Sequence, residues 1–291
     1  MTLKQIQTLV KDIYGLMDNI GGDWKPNTVN INAFGDQLSK IVATRSAAIS
    51  GPPTLRMSNL GAPARKLWYT INHPEKQEVL SPFVRIKFLY GDILEELLLF
   101  LAAEAGHKVE HQQKEVNLHG IKGHIDAIID GHLVDCKSAS TFSFKKFAEH
   151  RVREDDPFNY YVQLMGYLTA LQEDDAVEDK DKASFLVIDK TLGHLTLDTY
   201  SRDRRFDFEK YVEDKVKGIA QETPPPLCYE DVPEGKSGNM KLGVQCSYCS
   251  FKGDCWPGLK SYMYSKGPVF LTKVLKEPRV EEILFNAAKE F

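Results

Sequence analysis

Residues 131–140, GHLVDCKSAS, place an acid, a cysteine and a lysine in a row at the end of an apolar run. In a strand, alternate side chains share a face, so Asp135 and Lys137 point one way and Cys136 the other. Asp126 precedes them in IKGHIDAIID, and the intervening Asp130-Gly131 pair is a tight hairpin signal. Such a hairpin brings Asp126 within reach of Asp135 on one face. Two carboxylates ending adjacent strands can hold Mg²⁺ or Mn²⁺, hard ions that prefer oxygen ligands. A lysine beside them can orient or deprotonate a water and stabilise charge growing on a phosphate. The same residues are equally compatible with a solvated hairpin end closed by a surface salt bridge.

A second group with chemistry lies near the C-terminus. Three of the five cysteines crowd into Cys246-x2-Cys249-x5-Cys255. The x2 pair can chelate one centre through a tight turn, with the third thiolate closing from the following loop. Cys228 is the candidate fourth ligand; Cys136 is not, because it sits on the strand with the acids. Buried free thiols are the alternative, but the surrounding Gly, Ser and Lys offer no apolar core to receive them.

The elements that must position these groups can be read from periodicity. Residues 1–20 carry apolar side chains at a helical period, and 91–106, GDILEELLLFLAAEAG, form a buried helix closed by Gly106. Stretches 21–36 and 50–63, rich in Gly, Pro and Asn, read as loops around a short helical piece. KVEHQQKEVNL, IKGHIDAIID and HLVDCK read as strands, residues 157–172 as a helix, and 183–190 with 194–200 as a strand pair. A polar-faced helix follows and ends before Pro224-Pro225-Pro226. The order predicts an α/β core with a mixed central sheet flanked by helices. Three regions are expected: an N-terminal helical segment (1–55), a core (56–222), and a C-terminal segment (223–291) with the four cysteines and a terminal helix.

The 291 residues are 42% hydrophobic and 27% charged, with a net charge of −4. This is a globular composition without overall attraction to nucleic acid, so any DNA-binding face must be a local patch. The N-terminus, charged throughout, does not read as a secretory signal, and no apolar run approaches the roughly 18 residues of a membrane span. A cytoplasmic protein without membrane contact is expected.

GHIDAIIDGHLVDCKS resembles motifs II and III of the PD-(D/E)xK nucleases, in particular the RecB-like exonuclease branch. GDILEE supplies that branch's helix motif with Gly91 and Glu95, Glu96 being the alternative one residue on. VQLMGY supplies a Gln-x-x-x-Tyr motif with Gln163 and Tyr167, neighbours on one helical face. RMSNLGAPARKLWY is similar to an early Ser…Cys-Pro-x-Arg…Tyr segment, with Ser58, Pro63, Arg65 and Tyr69. The resemblance spans about residues 56–260 and implies a restriction-endonuclease-like core.

By that resemblance Asp126, Asp135 and the Cys136 carbonyl would bind Mg²⁺ or Mn²⁺, with Glu95 as a further ligand. Lys137 would act on the nucleophilic water, and Gln163 and Tyr167 would position DNA or the lysine. Glu95 stands where many members have histidine. The cysteines resemble the iron–sulfur staple of AddB-type helicase-nucleases and CRISPR adaptation exonucleases. There the fourth cysteine comes from the early Cys-Pro-x-Arg segment, which here reads GAPAR, so Cys228 would have to close the site locally. A 4Fe–4S cluster is implied, with structural Zn²⁺ as the alternative.

TFSFKKFAEHRVRE, 141–154, offers Lys145, Lys146, His150, Arg151 and Arg153 among phenylalanines for contact with a DNA backbone, and Arg65 is a further candidate. An amphipathic helix with a solvated basic face would look the same. The implied activity is a metal-dependent DNA exonuclease acting on free ends in recombination, replication or repair. A phage or mobile-element enzyme working in the host cytoplasm, with a single-strand annealing or helicase partner, fits the isolated module. The alternatives are a structure-specific or restriction-type endonuclease, and a non-catalytic DNA-binding or assembly protein.

Overall fold

The computed structural model describes residues 4–47, 52–80 and 82–283. In chain order the helices are α1 (Leu9–Asp18), α2 (Thr28–Ser46), α3 (Met57–Leu60), α4 (Ala64–Asn72), α5 (Pro82–Glu104), α6 (Thr141–Ala148), α7 (Tyr160–Ala170), α8 (Phe208–Ile219), α9 (Val244–Ser247) and α10 (Lys252–Cys255). The strands are β1 (Val109–Glu110), β2 (Glu115–Leu118), β3 (Ile121–His124), β4 (Ala127–Ile129), β5 (His132–Ala139), β6 (Lys182–Asp189), β7 (Leu195–Ser201), β8 (Val232–Glu234), β9 (Asn239–Lys241), β10 (Lys260–Tyr264), β11 (Gly267–Lys273) and β12 (Glu282–Ile283). They fall into two compact units. The first takes in 4–47, Leu55–Gly61 and Ile86–Tyr211; the second takes in 52–54, Ala62–Arg85 and the described residues from Val212 onward.

The first unit is built on a mixed sheet in the order β1-β4-β5-β6-β7. β5 and β6 run parallel while every other pair is antiparallel. A parallel pair needs a long crossover, and residues 140–181, with α6 and α7, supply it. β5 is hydrogen-bonded on both edges and buried from His132 to Cys136, which explains its nearly continuous apolar run. One sheet face carries Ala127, Ile129, Val134, Cys136 and Leu186 against Leu9 and Ile13 of α1 and Leu98, Leu99 and Ala102 of α5. Cys136 therefore belongs to a core, and its strand neighbours Asp135 and Lys137 face away from it.

Three expectations are corrected. IKGHIDAIID is not one strand: it breaks at Ile125 and Asp126, β3 pairing with β2 as a separate ribbon while β4 joins the main sheet. The break is held by Ile125 N–H donating to the Lys114 carbonyl at 3.1 Å and Gln113 N–H to the Asp126 carbonyl at 3.3 Å. KVEHQQKEVNL is likewise split into β1 and β2 by a turn in which His111 and Gln113 take φ of 54° and 55°. The Asn-containing stretch before residue 36 is not all loop, because α2 starts at Thr28. The Asn27 side chain accepts from Val29 N–H at 2.9 Å as its N-cap, and Glu104 receives the Trp24 indole N–H and the Asn30 amide.

The second unit contains α4, α9, α10 and an antiparallel sheet in the order β12-β10-β11-β9-β8, which nothing in the sequence pattern announced. Trp68, Tyr69 and Phe251 form a small buried cluster there with Cys249 and Cys255 against it. The expected terminal helix lies outside the described residues. Among the described residues no helix is long and apolar enough to cross a membrane.

Gly123 shows how closely α7 approaches the ribbon. A Cβ there would lie 2.5 Å from Met57 Cβ and 2.7 Å from Tyr167 Cε1. Gly123→Ala should therefore destabilise the fold by about 1–3 kcal/mol, read as a lowered denaturant midpoint at unchanged slope.

Candidate active site

β5 carries the centre of the site. Asp135 is 2% exposed, and its carboxylate is ion-paired with the Lys137 ammonium two residues on, on the same face. Pairing Ala127 with Val134 puts Asp126, at the break between β3 and β4, across from Asp135. The Asp126 Oδ2 accepts the Cys136 N–H at 2.7 Å, which ties it to the strand bearing Asp135 and Lys137. Lys137 also reaches the Cys136 carbonyl, at 3.4 Å. Glu95 comes from the middle of α5 into the field of all three charged groups, and its Oε1 accepts from the Gln113 amide at 2.8 Å. Glu96, one residue on, is buried, with Lys40 as the cation it feels.

Gln163 and Tyr167 lie one turn apart on α7, the Gln163 amide reaching the Tyr167 hydroxyl at 3.4 Å. Burial pushes the Tyr167 phenol up to about 12, with Asp135 and Asp126 adding to the shift. It therefore remains a neutral hydrogen-bonding group. Two contributors were not singled out by sequence. Tyr160 lies under the Lys137 ammonium, 5.2 Å from the ring centroid, and Gln113 holds Glu95 from the left-handed turn between β1 and β2. Tyr160 shares a helical face with Gln163 and Tyr167, a signal that was available. Gln113 had none, since its place follows from the turn.

The charges are unbalanced. Burial raises the Asp126 carboxyl to about 7, and Asp135 adds to the shift. Burial likewise raises Glu95 to about 9, helped by Asp126. For Lys137 burial works against the charged form, but Asp135 and Asp126 together outweigh it and hold the ammonium protonated well above its ordinary range. One lysine thus faces three carboxyls. An all-oxygen donor set with excess negative charge suits a hard divalent cation. The carboxyls are nevertheless not closed around a common point: among the described residues no group of three or more His, Cys, Asp or Glu is arranged to hold a metal ion.

The cysteines lie in the second unit. Cys246, Cys249, Cys255 and Cys228 are near enough to feel one another's charge. Burial lifts the Cys246 thiol to about 11. Arg65, expected to contact phosphate, instead donates to the Cys255 sulfur at 3.3 Å and to the Pro225 carbonyl at 2.5 Å. The absence of an arranged ligand group among the described residues holds for these four thiols too, so the expected cluster geometry is not preformed.

The basic residues of 141–154 divide. Lys145 is exposed, whereas Lys146 pairs with Asp155 at 2.5 Å, Arg151 with Glu149, and Arg153 with Asp203 at 3.4 Å while lying 4.7 Å over the Tyr161 ring. The amphipathic reading of α6 fits Phe144 and Phe147, which are buried; Phe142 is exposed.

A carboxyl whose pKa is raised on folding binds its proton more tightly folded than unfolded. Its stabilisation is complete below the unfolded value and is lost as pH climbs to the folded one. The windows here run from 3.8 to about 7 for Asp126 and from 4.5 to about 9 for Glu95. In chelator, the Tm should fall as pH rises through these windows, and Asp126→Asn should flatten the fall, as followed by circular dichroism.

Residues 51–256 match the PD-(D/E)XK nuclease superfamily. No curated protein matches the sequence significantly. Among solved structures, SSO0001 is similar at 18% identity over 76% of this chain and 95% of its own, with a TM-score of 0.43. A phage-related exonuclease from Haemophilus somnus 129PT is similar at 14% identity over 71% of this chain and 90% of its own, with a TM-score of 0.29. The family match covers the ribbon, β5 and its acids, α7 and the cysteine segment, and by it the chain belongs to the PD-(D/E)XK nuclease superfamily.

Proposed function

We propose that this chain is a divalent-metal-dependent deoxyribonuclease of the RecB-like type that degrades DNA from free ends. The observation that carries the reading is the convergence of Glu95, Asp126, Asp135 and Lys137 from three separate segments onto one half-buried patch. A structural salt bridge needs one acid and one base; a third carboxyl, pushed up by burial and then by its neighbours, costs stability and calls for a chemical use.

Asp126, Asp135 and the Cys136 carbonyl would hold Mg²⁺ or Mn²⁺, with Glu95 reaching it directly or through water. A divalent ion there would supply charge against the phosphoryl oxygens and acidity to a water. Lys137, kept protonated by its acidic neighbours, serves as a donor that orients the attacking water and offsets charge on the phosphate, rather than as a base. The Tyr160 ring and the Asp135 carboxylate confine that ammonium. Gln163 and Tyr167 present an amide and a neutral phenol for hydrogen bonds to DNA or to the lysine's surroundings.

For the cysteines we favour a structural metal centre, a 4Fe–4S cluster with zinc as the alternative, closed within the second unit by Cys228. The C-x2-C-x5-C spacing supports this reading, as do Arg65, which donates to Cys255, and Lys66 and Lys215, whose charges act on Cys249 and Cys228. These cations offset part of the burial that raises the Cys249 and Cys255 thiols, and a bound metal would complete the shift to thiolate. The role we assign to such a nuclease is in recombination, replication or repair, in a phage or mobile element.

Digestion of end-labelled linear DNA with Mg²⁺ or Mn²⁺ tests the activity. Loss of label from an end, intact closed circles, and a rate about a hundredfold to a thousandfold lower in Lys137→Ala are expected. Cleavage of closed circles would identify an endonuclease instead. No cleavage by folded protein would leave a DNA-binding module. Protein purified without oxygen should contain iron with visible absorption, or colourless zinc, and Cys249→Ser should lose it; protein with neither metal would overturn the centre.

A further inference from the structure

Arg65 stands at the second position of α4, and its guanidinium joins two segments of the second unit. Nε donates to the Cys255 sulfur at 3.3 Å and Nη1 to the Pro225 carbonyl at 2.5 Å. Pro225 lies three residues before Cys228. One planar group therefore spans the stretches that carry the first and last of the four thiols in sequence. Tyr69 backs the guanidinium at 5.5 Å and itself stacks on Phe251 at 5.4 Å and 18°, which leaves the fork little freedom to turn away.

The contact belongs to a longer seam. Arg65, Trp68 and Asn72 share one face of α4, and each donates to a backbone carbonyl of residues 219–225. Trp68 reaches Gln221 at 2.8 Å and Asn72 reaches Ile219 at 2.9 Å, so this stretch runs antiparallel to the helix and arrives at Cys228 in a fixed register. Further along, the Glu78 N–H donates to the Ser250 carbonyl at 3.0 Å, Lys76 pairs with Asp254 at 3.2 Å, and Lys252 pairs with Glu78 at 2.5 Å. Residues 65–78 thus grip both cysteine-bearing stretches, and Arg65 is where that grip meets a sulfur.

We propose that Arg65 is a positioning residue for the cysteine metal centre: it holds Cys255 against the Cys228 stretch and donates an N–H to the ligating sulfur, which sets how strongly that thiolate binds. The assignment rests on the reading of the four cysteines as a metal centre. A hydrogen bond to a ligating thiolate draws charge off the sulfur, so an iron cluster held by it is easier to reduce. The guanidinium fork matters as well as its charge, because a lysine ammonium is a point donor that cannot span both acceptors.

Wild-type protein purified without oxygen is compared with Arg65→Met and Arg65→Lys, the fold of each being checked by circular dichroism. Release of the metal it carries, iron or zinc, to a chelator should be about tenfold to a hundredfold faster in Arg65→Met. Arg65→Lys should recover at most part of the loss, and it carries the comparison alone if Arg65→Met does not fold. With iron, the reduction potential of the cluster should fall in Arg65→Met. With zinc, cobalt put in its place should show its sulfur-to-cobalt absorption moved to longer wavelength. Either shift reports the N–H lost from the sulfur, which loosened packing by itself would not produce. An unchanged release rate, an unchanged potential or spectrum, or full restoration by Arg65→Lys would each overturn the assignment while leaving the metal centre standing. Wild-type protein with neither iron nor zinc would remove the centre itself, and the role of Arg65 with it.

Discussion

The organisation of the first unit depends on keeping three carboxyls and one ammonium together in a place where water screens them poorly. Asp135 is almost fully buried, and its charge is tolerable because Lys137, on the same face of the same strand, neutralises it. Asp126 and Glu95 join the pair without a cation of their own, and burial first, then the neighbouring carboxylates, raises both far above an ordinary carboxyl. An arrangement of this kind holds only if the backbone that carries it cannot relax. β5 meets the condition by being hydrogen-bonded along both edges, parallel on one side and antiparallel on the other.

The surrounding elements can be understood by how near they must come. The break between β3 and β4 turns Asp126 toward the Cys136 N–H, and a continuous strand would have kept β3 in the main sheet. α7 packs against the ribbon at Gly123, where no side chain fits between Met57 and Tyr167, and this sets where the tyrosine stands. α5 comes close at Gly91, where a Cβ would rest 3.6 Å from Ser138 Oγ, one turn before Glu95. The glycine of GHID thus has a steric role, whereas at Gly91 of GDILEE a Cβ would make only an ordinary contact.

The second unit solves a different problem. Burial raises the Cys246, Cys249 and Cys255 thiols, while Arg65 brings a cation to Cys255 and packs 5.5 Å over the Tyr69 ring. Cations, aromatic rings and sulfur make a polarizable neighbourhood that neither a dry core nor a solvated loop would provide. Arg65, a candidate for DNA contact, donates to sulfur here.

Local pattern by itself determined a good deal. Alternation along HLVDCK put Asp135 and Lys137 on one face, Asp130-Gly131 predicted the turn that brings Asp126 opposite, and helical spacing joined Gln163 to Tyr167. These are relations within a few residues, where backbone geometry dictates direction. Tertiary structure decided the rest: that Glu95 enters the field of Asp126 and Asp135 in the grip of Gln113, that Tyr160 lies under Lys137, that IKGHIDAIID breaks at Asp126, and that Arg65 turns to Cys255. Each depends on a partner distant in the chain, and a one-residue rotation on a helix or a left-handed turn leaves no periodic trace for composition or spacing to reveal.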